Sequence, residues 1–116
     1  MARKSQSLPV LHIMLALADG PKHGYRIKQD VEARTDGGIR LGPGTLYEAI
    51  QRLEDGGLIQ ESTAAASGRP ANGQEAQRRY YRLTDRGWRT LREELHQLGQ
   101  LVDIARGNGR LNKGLA

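Results

Sequence analysis

Cysteine and phenylalanine are absent from the 116 residues, and aromatic side chains amount to 4%, one Trp and four Tyr. Without cysteine there are no disulfides and no thiolate metal sites, a composition that suits a reducing cytoplasm. Without phenylalanine the core has to be assembled from Leu, Ile, Val, Met and Ala on helices, and it must be small. Long apolar runs are missing too: the best, Leu8 to Leu17, is well short of the roughly 20 residues that span a bilayer. Arg3 and Lys4 before it and Ala16-Leu17-Ala18 at its end imitate a secretory leader with an A-x-A cleavage site. His12 interrupts that run, and its removal would delete a helix the fold needs, so the expectation is a cytoplasmic protein with no membrane contact. Catalytic constellations are also lacking. His12, His23 and His96 stand on separate elements without zinc-type spacing, no Ser/His/Asp set is evident, and the glycines at Gly42 and Gly44 belong to a helix start. One modest domain, no enzyme, no metal and no cofactor are what these absences leave.

Charge is what the chain has in surplus. The formal net charge is +5 with a pI near 10.0, which favours a polyanionic partner. Residues 1–61 balance 8 basic against 8 acidic side chains, whereas residues 62–116 carry 10 against 5, so the whole excess lies in the second half. There Arg69, Arg78, Arg79, Arg82, Arg86, Arg89 and Arg92 cluster, opposed within the same span by Glu75 and Asp85 alone. A solvated basic face without a partner is the plain alternative to a nucleic-acid surface.

Periodicity orders the rest. Leu8, Val10, Leu11, Ile13, Met14, Leu15 and Leu17 occupy nearly every side of a first helix, which predicts burial all round and a second subunit to cover part of it. Asp19-Gly20-Pro21 ends it. A second helix is expected over residues 23–35, with Tyr25, Ile27, Val31 and the stem of Arg34 inward, then a turn at Asp36-Gly37-Gly38 and a short extended piece at Ile39-Arg40-Leu41. The third helix opens at Gly42-Pro43, since Pro suits a first turn whose N–H groups lack partners. Leu46, Ala49, Ile50 and Leu53 then mark one buried face and leave Thr45, Tyr47, Glu48, Gln51 and Arg52 outside. Gly56-Gly57 turns the chain into a hairpin, residues 58–62 and 78–84, around a low-complexity loop at residues 63–77. The last helix, residues 85–106, carries Trp88, Leu91, Leu95, Leu98, Val102 and Ala105 at alternating steps of three and four, the seam of a helix that pairs with another. Packing on its own domain is the alternative, and Leu101 and Ile104 widen the stripe enough for both.

This pattern is mainly α with a small β-hairpin: a winged helix-turn-helix over residues 1–84, its wing at about 58–84, then a C-terminal dimerisation helix at 85–106 and a loose tail at 107–116. The third helix is expected to read DNA. Thr45, Gln51, Glu48 and Arg52 can reach base edges, Gln pairing with adenine, Arg with guanine and Glu accepting from cytosine. Arg78, Arg79 and Arg82 can hold phosphates, together with the N–H groups that open the helix. Tyr47 and Tyr25 either touch the backbone of the duplex or serve as structure, and Arg69 either enters a groove or stays solvated. Arg52 can instead spend itself in a local ion pair, and Arg86, Arg89 and Arg92 can be the wet face of the last helix. The expected dimer interface combines Leu11, Met14 and Leu15 of the first helix with Trp88, Leu91, Leu95, Leu98, Val102 and Ala105 of the last.

Four blocks in order carry a family likeness: Gly20-Pro21 with His23-Gly24-Tyr25; Pro43-Gly44-Thr45-Leu46-Tyr47; Arg52-Leu53-Glu54 leading to Gly57-Leu58-Ile59; and Arg79-Tyr80-Tyr81-Arg82-Leu83-Thr84 with Gly87. Over roughly residues 8–105 the chain resembles the PadR family of bacterial transcriptional regulators, in its short form with one C-terminal helix. The resemblance implies a homodimer that binds double-stranded DNA at a pseudo-palindromic operator, usually represses, and is often released by a small lipophilic or phenolic effector near the dimer interface. Two departures stand out: Gly42 where the family commonly has Ser, and a wing loop richer in Ala and Gly than is usual. Trp88 is the candidate to stack against an effector, or else an anchor joining its helix to the wing. A winged helix that holds only protein partners is the rival function, and the clustered arginines speak against it.

Overall fold

The computed structural model describes residues 6–63 and 79–115. In chain order the elements are α1 (Leu8–Leu17), β1 (Lys22–His23), α2 (Gly24–Arg34), α3 (Pro43–Asp55), β2 (Ile59–Ser62), β3 (Tyr80–Leu83), α4 (Asp85–Arg106) and a short α5 (Gly109–Asn112). Helices predominate, with one three-stranded antiparallel sheet of order β1-β3-β2. Ile59 lies opposite Leu83 and Ser62 opposite Tyr80, while Lys22 and His23 face Tyr81 and Tyr80 from the other edge.

α1 is the centre of the core. Ile13, Met14 and Ala16 are fully buried and Leu11 and Leu17 nearly so, packed with Ile27, Val31, Leu46, Ile50, Leu53, Leu83 and Leu91. The chain's own helices and sheet provide the cover for these residues, Leu11 and Met14 of the expected dimer contact among them. Leu11 at 7% and Met14 at 0% exposure have no surface left for an intersubunit contact, and Leu91 at 3% has gone the same way. Leu15 keeps some exposure and Leu8 a good deal.

The short strand falls elsewhere than expected. Residues 39–41 do not pair: the Ile39 N–H donates to Thr35 Oγ1 at 3.0 Å, Arg40 Nε reaches the Gly37 carbonyl, and Leu41 drops into the core. Lys22–His23 is strand instead, because the Gly20 turn (φ 134°) carries it to the open edge of β3, where a partner is available. Its position is secured by charge. The Lys22 ammonium meets Asp30, which also accepts from Arg26 Nε at 3.1 Å, and Asp19 at 3.5 Å, while the Arg34 guanidinium closes on Asp19. The Arg34 guanidinium, with Lys22 behind it, holds the Asp19 carboxyl below its ordinary value of 3.8. Arg34 therefore serves as an ion partner. Tyr25 also turns outward, at 57% exposure, leaving Gly24, Ile27 and Val31 as the buried side of α2.

One residue knots the wing to the last helix. Thr84 Oγ1 donates to the Gly57 carbonyl at 2.6 Å and accepts the Gly87 N–H at 3.0 Å, and the Thr84 N–H donates to the Leu58 carbonyl at 3.1 Å. The third helix, the hairpin and α4 are thereby joined. Gly87 has to be glycine: a Cβ there would lie 2.0 Å from the Leu58 carbonyl oxygen.

α4 spans the residues its periodicity predicts, and its surroundings change along its length. Gly87, Thr90, Leu91 and Glu94 are buried on the domain, and Trp88 packs against the core. Glu94 is the surprise, a carboxylate at 4% exposure whose Oε1 accepts the Gln6 N–H at 2.6 Å, with no partner for Oε2 among the described residues. Beyond it Leu95, Leu98, Leu101, Val102 and Ile104 are exposed. The stretch read as a loose tail carries one further helical turn, α5, where Asn108 Oδ1 accepts the Arg110 and Leu111 N–H groups.

Candidate nucleic-acid interface

α3 is built as its pattern requires. Leu46, Ile50 and Leu53, each 2% exposed, hold one side of the helix on the core, and the opposite side is free. Thr45, Glu48, Gln51 and Arg52 are all exposed there, the four candidates for base contact on one outward surface. Gly42 caps the helix with its carbonyl, accepting the Leu46 N–H at 2.9 Å, but contributes no side-chain cap. Nothing stands within 4 Å of a Cβ placed at Gly42 or Gly44, so the helix opening is uncluttered. First-turn N–H groups in such a place are suited to a phosphate oxygen.

The outward side chains are not independent. Gln51 Nε2 donates to Asp55 Oδ1 at 3.0 Å, and an Arg52 terminal nitrogen donates to Glu48 Oε1 at 3.2 Å. Both are steps of four residues, the spacing at which helix side chains meet. The Arg52 pairing realises the local ion pair that the sequence left open. Asp55 was not among the candidates from sequence, although its distance from Gln51 is legible in the chain.

Tyr47 and Tyr25 flank this surface. The Tyr47 ring leans on Gly24 at the start of α2, where a Cβ would come within 3.1 Å of its Cε1 and hydroxyl oxygen, yet it stays 53% exposed. It is thus not a core residue. Tyr25 carries the Lys28 ammonium 5.9 Å from its ring centre. His23 caps α2, its Nδ1 accepting the Arg26 N–H at 3.1 Å, and meets Tyr80 edge-on at 5.4 Å.

On the wing β3 has one buried and one outward side. Tyr81 and Leu83 are buried, Arg82 is exposed, and Arg79 is exposed at the entry to β3. Burial pushes the Tyr81 phenol above its ordinary value of 10.0. Arg82 lies opposite Gln60 and donates to its amide oxygen, which steadies the guanidinium on the outer face. Arg69 and Arg78, with most of the 63–77 loop, lie outside the described residues. Trp88, the candidate effector contact, packs partly on the core with the Arg92 guanidinium 5.8 Å from its ring, in keeping with an anchor. A shallow hollow of about 310 Å³ beside it is lined by Asp85, Trp88, Arg89 and Arg92.

Among the described residues no helix is long and apolar enough to cross a membrane. Comparison with known proteins agrees with the fold. The model of the transcriptional regulator PadR-like family matches residues 10–93. Transcriptional regulator Rv3488 of Mycobacterium tuberculosis is 35% identical over 92 residues, 79% of this chain and 77% of that protein. An uncharacterized 37.1 kDa protein in transposon TN4556 of Streptomyces fradiae is 38% identical over 89 residues; these are 77% of this chain, which spans only 22% of that protein's length. Among solved structures, a transcriptional regulator from Clostridium thermocellum superposes with a TM-score of 0.68 at 25% identity, covering 87% of this chain and 89% of its own. A winged fold with a free polar helix and a family match across most of its length place this chain in the PadR-like family of transcriptional regulators, DNA-binding proteins and not enzymes.

Proposed function

We propose that this chain works as a homodimeric repressor on a pseudo-palindromic operator, released by a small lipophilic or phenolic effector. The observation that supports it best is the distal half of α4. Leu98 and Val102 are 39% and 37% exposed, Leu95 40%, Leu101 61% and Ile104 75%, on one helix that projects past the domain. A lone solvated helix has no use for five large apolar side chains; a second copy laid along Leu95, Leu98, Val102 and Ala105 covers most of them. Leu15 can extend that contact. Pairing would present two α3 helices to one duplex, about one helical turn apart.

In this reading Thr45, Glu48, Gln51 and Arg52 read bases, Tyr25, Tyr47, Arg78, Arg79 and Arg82 hold the phosphate backbone, and Arg69 enters a groove. The effector would sit near Trp88. Light scattering on a size-exclusion column and fluorescence anisotropy with the duplex upstream of the protein's own gene test the proposal together. A dimer whose tight binding falls steeply with salt is the expected result. A monomer at micromolar concentration overturns it, and a dimer indifferent to every duplex returns the chain to the protein-binding alternative.

A further inference from the structure

Gly24 opens α2, where the backbone makes no demand for glycine. Gly20, Gly37 and Gly57 hold positive φ values of 134°, 75° and 73°, whereas Gly24 is buried at a helical position that alanine fills more readily. Its use lies across the gap to α3. The three atoms nearest to a Cβ placed at Gly24 all belong to Tyr47: Cε1 and the hydroxyl oxygen at 3.1 Å and Cζ at 3.3 Å. These distances fall inside ordinary van der Waals contact, so a side chain at this position would push the phenol end of Tyr47 away. Resting on the reading of Tyr47 as a phosphate contact, we propose that Gly24 is a positioning residue for DNA binding, its bare Cα the seat that fixes the Tyr47 hydroxyl against the opening of α2.

Burial decides which partner gives way to an added methyl. Ile27 and Val31, both 0% exposed, hold α2 on the core, and His23 Nδ1 caps its first turn, so the helix stays where it is. Tyr47, 53% exposed, can swing. The methyl therefore costs little stability, and the better helix propensity of alanine offsets part of that. What changes is the place of the hydroxyl, and a hydrogen bond weakens steeply with length and angle. Phosphates are common to every sequence and an uncharged hydroxyl releases no counterion, so the loss falls equally on all duplexes and leaves the salt dependence as it was.

The test is a double-mutant cycle on the full chain, Gly24→Ala, Tyr47→Phe and both together, read by fluorescence anisotropy on the duplex upstream of the protein's own gene and on a random duplex of the same length. Urea unfolding and light scattering are run on the same samples. Tyr47→Phe should weaken both duplexes about tenfold, the scale of one hydrogen bond to a charged group, and Gly24→Ala about threefold, with stability, mass and salt dependence unchanged. Once the hydroxyl is gone, Gly24→Ala should add nothing. Full affinity in Gly24→Ala overturns the proposal, as does a further loss in the Tyr47→Phe background. Lowered stability in Gly24→Ala overturns it too, making the glycine a packing requirement. A wild type that binds DNA while Tyr47→Phe matches it refutes the Tyr47 contact and leaves the regulator reading standing; a wild type that binds neither duplex refutes both.

Discussion

The two halves of α4 share one helix and one apolar repeat but not one fate. From Asp85 to Glu94 the repeat is closed by the chain's own wing and first helix; from Leu95 onward the same spacing stands in solvent. A repeat of three and four therefore identifies a face without saying what covers it. What decides is reach: α4 is held at its start by Thr84 and Gly87 and runs past the last surface the domain offers.

Substitutions can pull the halves apart. Gly87→Ala has the largest expected effect, because a Cβ 2.0 Å from a backbone oxygen forces α4 off the hairpin; a loss of about 3 kcal/mol or more is expected in urea unfolding. Leu91→Ala follows at about 2–4 kcal/mol by the same measurement, a core cavity independent of protein concentration. Leu98→Asp should reverse the pattern: a folded chain with native circular dichroism, a monomer by light scattering, and operator affinity down about a hundredfold for want of the second subunit. A Leu98→Asp chain that stayed dimeric would mean that another surface pairs.

Arg79→Ala touches neither half. Its expected effect is a uniform weakening across specific and random duplexes, with the salt dependence flatter by about one phosphate contact. The smallest effect belongs to Asp19. Its carboxyl titrates below 3.8 in the fold, so the Arg34 link stabilises above that value and is lost as pH falls through the folded one. Asp19→Asn should flatten the acid limb of the stability profile slightly and leave neutral pH nearly unchanged; an unaltered limb would discount the link.

Much of this architecture was legible along the chain. α3 starts at Gly42-Pro43 because proline there loses no hydrogen bond, and Leu46, Ile50 and Leu53 recur on the helical period, so the opposite face and its polar side chains followed. β1 was not legible. Two residues have no period, and Lys22–His23 is strand only because β3 has an edge to fill. Glu94 was hidden for a related reason: the N–H its carboxylate accepts belongs to Gln6, which is 88 positions away.

Hydrogen-bond geometry and side-chain spacing act over a few residues, and that range was enough to set the helices, the exposed polar side of α3 and the Gln51–Asp55 step of four. Burial is a property of the packed chain. Only folding assigned Leu11, Met14 and Leu91 to the chain's own interior and left Leu95, Leu98 and Val102 outside, since accessible area depends on neighbours that local order does not specify.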